Sequence, residues 1–138
     1  MKLWFSRFVL FAGLYDFILG IFFLFGSPIV SILLNYPLTT LSAALLQIIA
    51  AFLIGFGIAL LLASRDLDQY LLFPLANIPA RLIAFIVVVY YVVLGLPIAL
   101  LWLGIIEGTI GIVLIIFILG VPDYSFRSVF KNPSTQPY

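Results

Sequence analysis

The chain has 138 residues, of which 66% are hydrophobic and 8% charged, and its formal net charge is +1. Six cations and five anions cannot cover a water-soluble core of this size, so a lipid bilayer must supply the surrounding medium. The small charge and the lack of a basic run exclude nucleic-acid binding, and with no cysteine, no histidine and no methionine beyond Met1 the chain has no ligands for ordinary zinc, copper, haem or iron–sulfur sites.

The same absences exclude disulfides and cysteine or serine–histidine nucleophilic catalysis. No metal, no cofactor bound by the chain itself and no catalytic activity of its own are therefore expected.

The first apolar stretch runs from about 8 to 25, behind Lys2 and Arg7. Its length, Asp16 inside it and Leu24 where a cleavage site needs a small residue distinguish it from a secretory signal, so an uncleaved first span is expected. Residues 27–37, from Ser27-Pro28 to Tyr36-Pro37, are too few to cross and too apolar for an ordinary loop, which predicts a short interfacial helix on the outer face.

Further spans follow at about 41–63, 78–94 and 98–119, each near the roughly 20 residues that cross a bilayer. Read as one helix, residues 78–119 would extend roughly 60 Å, about twice the hydrocarbon thickness, so the chain must turn at Gly95-Leu96-Pro97. The segment 121–138 reads as a cytoplasmic tail, irregular and solvated from Lys131 onward. The fold class is all-α, a polytopic four-transmembrane-helix bundle in a single membrane domain, 1–138.

Orientation follows from the cations. Lys2, Arg7, Arg65, Arg81, Arg127 and Lys131 all fall on one side of the four spans, and the loops on the other side carry no charge. The positive-inside rule predicts both termini in the cytoplasm of a multi-pass protein of the cell membrane. Trp4, Tyr70 and Tyr124 near the inner boundary, with Tyr36 and Trp102 near the outer one, suit an interfacial aromatic belt.

Two kinds of helix face stand out. Small residues recur every fourth position in the second span, at Ala43, Ala51, Gly55, Ala59 and Ala63, with Gln47 in the one gap, and Gly104 and Gly108 repeat the spacing in the fourth. Such stripes allow close helix approach, either among the chain's own helices or, for the second span, against a partner subunit.

The other kind is charged. Asp16 in the first span and Glu107 in the fourth both fall near the midplane, where a charged side chain costs about 2.5 to 3.5 kcal/mol and so must face the bundle interior. Arg81, three residues into the third span, either snorkels to the headgroups or reaches inward to the two acids, steadied by Asn77 one turn earlier. If it reaches inward, two acids share one base, and one carboxyl must hold a proton or a cation. Tyr90 and Tyr91 in the third span are candidate additional donors, whereas Arg65, Asp66 and Asp68 read as a solvated turn. The cluster of Asp16, Arg81 and Glu107 has three readings: a polar clasp that fixes helix register, a site for proton or cation handling, or a hydrogen-bonding contact to a quinone or lipid headgroup.

The run Leu14-Tyr15-Asp16-Phe17-Ile18-Leu19-Gly20, followed by Arg81 early in the third span and Glu107 in the fourth, resembles the small four-helix DoxX-like membrane proteins. Several members of that grouping are associated with respiratory or sulfur-oxidising, quinone-linked membrane complexes, so the resemblance implies an accessory subunit. It departs from the expected pattern at Glu107, where an aspartate is usual. Asp16 is also similar in placement to the first-span acid of small multidrug transporters, although theirs is glutamate and the tryptophan-bearing third-span motif is missing. The expected function is a non-enzymatic subunit packed by lipid and by other membrane subunits or a second copy; the alternative is a proton-coupled carrier of small solutes.

Overall fold

The computed structural model describes residues 2–35 and 37–120; Tyr36, Tyr124, Arg127, Lys131 and the predicted tail lie outside the described residues. Among the described residues six helices follow in order: α1 (Lys2–Phe25), α2 (Ser27–Leu34), α3 (Thr40–Ala63), α4 (Leu67–Tyr70), α5 (Leu72–Val93) and α6 (Ala99–Gly120). α1, α3, α5 and α6 have 22 to 24 residues with mean hydropathy of 2.1 to 2.6, long and apolar enough to cross a membrane. The chain is an all-α membrane protein with four candidate spans, and its outer helix faces meet lipid.

Local signals set the helix ends. Thr39 caps α3 by accepting the Ser42 amide at 3.2 Å, and Asp66 caps α4 by accepting the Gln69 amide at 3.1 Å. α2 carries Pro28 in its first turn, where no amide is needed, and stops at Asn35, whose φ of 49° is left-handed. Gly95 takes φ of 103° at the turn between α5 and α6, a conformation that a side chain would strain.

Two helices start earlier than their apolar stretches. α1 begins at Lys2 rather than near 8, because Phe5 and Val9 are buried and the Ser6 hydroxyl donates to the Ser64 carbonyl at 2.6 Å. α5 begins at Leu72 rather than 78. Pro74 falls in the first turn, where proline is tolerated, and the helix continues through Pro79. Arg81 consequently lies nine residues into its helix, about 14 Å along it.

α1 packs mainly on α3, and α5 on α6. Glycines let the first pair approach closely: a Cβ on Gly57 would stand 2.7 Å from the Phe17 amide nitrogen, and one on Gly20 would stand 2.9 Å from the Ala50 oxygen. In the second pair, Phe85 and Val88 of α5 cover Gly108 and Gly104 of α6.

The two pairs meet at the end that carries Lys2 and the 64–71 connection. A core of Phe5, Val9, Leu60, Leu67, Ile110 and Leu114 fills the seam there, and Phe5 stacks on Phe117 with ring centroids 5.6 Å apart. Lys2 pairs with Asp68 at 3.2 Å across the same end, where Arg65 and Asp66 are exposed.

Candidate functional site

Where the core ends, the charged side chains begin. Asp16 follows Ala12 and Gly13 along the buried face of α1, and the close α1–α3 approach around Gly13 and Gly57 turns that face toward the second pair. On α6, Glu107 sits among Gly104, Gly108 and Gly111, all buried. Gly111 adjoins the third member: a Cβ there would meet the Arg81 Cβ at 3.4 Å, an ordinary contact distance, so the Arg81 stem lies directly against α6. The guanidinium then ends between the two pairs.

Arg81 is 3% exposed and its guanidinium is engaged on every nitrogen. Nε donates to Asn77 Oδ1, one turn earlier on α5. Nη1 donates to Glu107 Oε2 at 2.5 Å, and Nη2 donates to both Asp16 oxygens at 2.8 and 2.7 Å. These are charge-assisted bonds in a medium of low dielectric, strong when complete and costly when broken. Three helices of two pairs are tied at one point.

The structure thus places Asp16, Arg81, Glu107 and Asn77 together, with Arg81 turned inward. It does not bring Tyr90, Tyr91 or Gln47 to them. Tyr90 and Tyr91 lie near the far end of α5, both largely exposed and edge to face with ring centroids 5.4 Å apart. Nine residues of helix, about 14 Å, separate Tyr90 from Arg81. Gln47 lies exposed on α3.

The small-residue stripes divide. Gly104 and Gly108 are buried against α5, whereas Ala51 and Gly55 are exposed, Ala59 is half-buried, and a Cβ on Gly55 would meet nothing within 4 Å. The face of α3 that meets α1 is a different one, carrying Ala50, Gly57 and Leu60.

Tyr15 was not singled out among the site residues by its sequence position. Its hydroxyl lies beside Glu107, is shut off from the surface and completes no well-formed hydrogen bond. Its place next to Asp16 gives no signal, since a residue one position from a buried acid on a helix usually faces elsewhere. Its ring lines an apolar groove on α1 with Phe11, Leu14, Ile18 and Phe22, which separates the hydroxyl from lipid.

Chemically, the arrangement offers a cation engaged on each nitrogen, two carboxyls and a hydroxyl. Comparison with family models, curated proteins and solved structures finds no match to this chain.

Proposed function

We propose that the chain is a non-enzymatic four-helix subunit of a larger membrane assembly, inserted in the cell membrane with both termini in the cytoplasm. One observation carries the reading: the chain spends its buried charges on itself and leaves its small-residue helix face outward. The guanidinium of Arg81 is engaged on each nitrogen within the fold, while Ala51 and Gly55 line an open face of α3 that also bears the exposed amide of Gln47. In hydrocarbon such a face is suited to another helix, by close backbone contact and an interhelical hydrogen bond to the amide. The five cations other than the buried Arg81, all on one side of the spans, support the orientation. The resemblance of Leu14 to Gly20, Arg81 and Glu107 to the DoxX-like pattern supports a respiratory or quinone-linked assembly, with any quinone or lipid contact made beside the cluster.

Extraction from native membranes in mild detergent, followed by native mass spectrometry, tests this reading. Co-purifying subunits at fixed stoichiometry are expected. A lone monomer that is stable and homogeneous would sink it.

A second reading, a proton-coupled carrier of small solutes, is favoured by one specific observation: two carboxyls share a single guanidinium. In proteoliposomes, Asp16→Asn and Glu107→Gln are then each expected to abolish proton-driven uptake, and uptake that survives both replacements rules the carrier out.

A further inference from the structure

The buried cluster is one positive charge short. Asp16 and Glu107 bring two carboxyls, Arg81 one guanidinium, and the remaining described charges, Lys2, Arg7, Arg65, Asp66 and Asp68, are exposed at the other end of the core. From α1 the groups facing Glu107 are Asp16 and Tyr15, from α5 Arg81, and α3 supplies none. An uncompensated negative charge in so dry a place is costly, and buried clusters carry a counter-charge or lose the excess one.

The free lone pairs locate that counter-charge. Both Asp16 oxygens accept from Arg81 Nη2. Glu107 commits Oε2 to Nη1, and its other oxygen, Oε1, accepts no hydrogen bond from the described residues although the residue is only 9% exposed. Beside the Glu107 carboxyl lies the Tyr15 hydroxyl, buried and without a completed hydrogen bond. Two unengaged oxygens therefore adjoin the one place where the charge sum is negative.

We propose that Glu107 Oε1 and Tyr15 Oη form a binding position for one monovalent cation, a proton or an alkali metal ion. A proton on Oε1 turns the carboxyl into a donor toward Tyr15 Oη and leaves the cluster neutral. An alkali ion takes both oxygens as hard ligands with the same charge result. Either way Arg81 keeps its bonds to both acids. The site deepens the carrier reading but does not require transport, because a resident cation would equally neutralise a static clasp.

The test uses a fortunate count: Glu107 is the only glutamate in the chain. Full-length protein made by cell-free synthesis with glutamate labelled at 13Cδ, and placed in lipid nanodiscs, gives one carboxyl signal whose position distinguishes acid from carboxylate. In choline chloride near neutral pH, a neutral-acid signal identifies the proton as occupant. A carboxylate signal that shifts saturably on adding sodium or potassium chloride identifies the alkali ion. A carboxylate signal unmoved by either salt overturns the proposal. Tyr15→Phe removes one of the two oxygens and is expected to weaken occupancy about tenfold, the loss of one hydrogen bond to a charged or ionisable group, with the helices intact by circular dichroism. Unaltered occupancy in that variant would overturn the part given to the hydroxyl. Failure here, with subunits still co-purifying, leaves the subunit reading standing, so the two ideas fail separately.

Discussion

The two halves of the bundle are built differently. Toward the Lys2 end, Phe5, Val9, Leu60, Ile110, Leu114 and Ile118 bury side chains between the helix pairs, and aromatic rings stack across the seam. Beyond the ion cluster the buried positions of the long helices are Gly20, Ala50 and Gly104, each packed within its own pair. Lipid explains why this is tolerable. Acyl chains are as apolar as leucine, so apolar faces gain little by meeting each other, and helices stay together where backbones approach closely or polar groups bond. Close approach holds each pair along its length; the core and the Arg81 cluster hold pair to pair. Among the described residues the cluster is the last buried polar tie between the pairs.

Arg81→Met is the severest way to break that contrast. It leaves two buried carboxyls without their base and is expected to destabilise the protein by about 3–5 kcal/mol, measured by denaturant unfolding in mild detergent. Replacing Asp16 and Glu107 by leucine in the same chain should recover most of the loss, because a buried ionic group exchanged whole for apolar residues is often neutral. A single variant as stable as wild type would remove the cluster from the joint between pairs.

Next in size is a cavity on the packed side. Leu114, 0% exposed, sits in the seam, and Leu114→Ala is expected to cost about 2–3 kcal/mol, whereas Ile86→Ala, on a lipid-facing position of α5, should cost well under 1 kcal/mol in the same assay. Equal losses would mean that the two halves are packed alike.

A smaller contrast lies within α3. Gly57→Val would drive a side chain into the Phe17 backbone and is expected to cost about 1–3 kcal/mol, while Gly55→Val meets open space and should leave the unfolding midpoint within about 0.5 kcal/mol of wild type. If the open face docks another subunit, Gly55→Val should still shed that subunit in native mass spectrometry, a loss of assembly without a loss of fold.

Much of this architecture was readable from residues alone, and the exceptions share a cause. Four apolar stretches of bilayer length, and a Gly-Leu-Pro break that prevents one 42-residue helix, announced four helices because span length is a direct consequence of hydrocarbon thickness. Asp16 and Glu107 announced an interior face because charges are expelled from lipid. Arg81 was ambiguous. Hydropathy begins its span at 78, behind Pro74 and Asn77, yet helix geometry tolerates Pro74 in a first turn and carries the helix back to Leu72. Hydropathy measures preference for lipid and not where hydrogen bonding starts, and the six residues between decide whether Arg81 stands in the first turn of its helix or well inside it. The α3 stripe shows the same limit: spacing identifies Ala51, Gly55 and Ala59 as a smooth face, but Gly57, in no such series, is the glycine that α1 touches. Periodicity defines faces; the partner's position chooses between them.

The mildest test concerns the closed end. Lys2 Nζ lies 3.2 Å from Asp68 Oδ1, joining the start of α1 to α4, but the two side chains are 47% and 67% exposed. Water and salt screen such a pair, and holding two long side chains in place offsets part of its attraction, so Lys2→Ala is expected to cost between about 0 and 1 kcal/mol, with the difference from wild type shrinking as salt rises. The Ser6 hydroxyl bond to the Ser64 carbonyl and the burial of Phe5 keep that end closed without it. A larger, salt-insensitive loss would mean that the ion pair, and not the aromatic seam, closes this half, and the contrast between the halves would then rest on charge at both levels of the bundle.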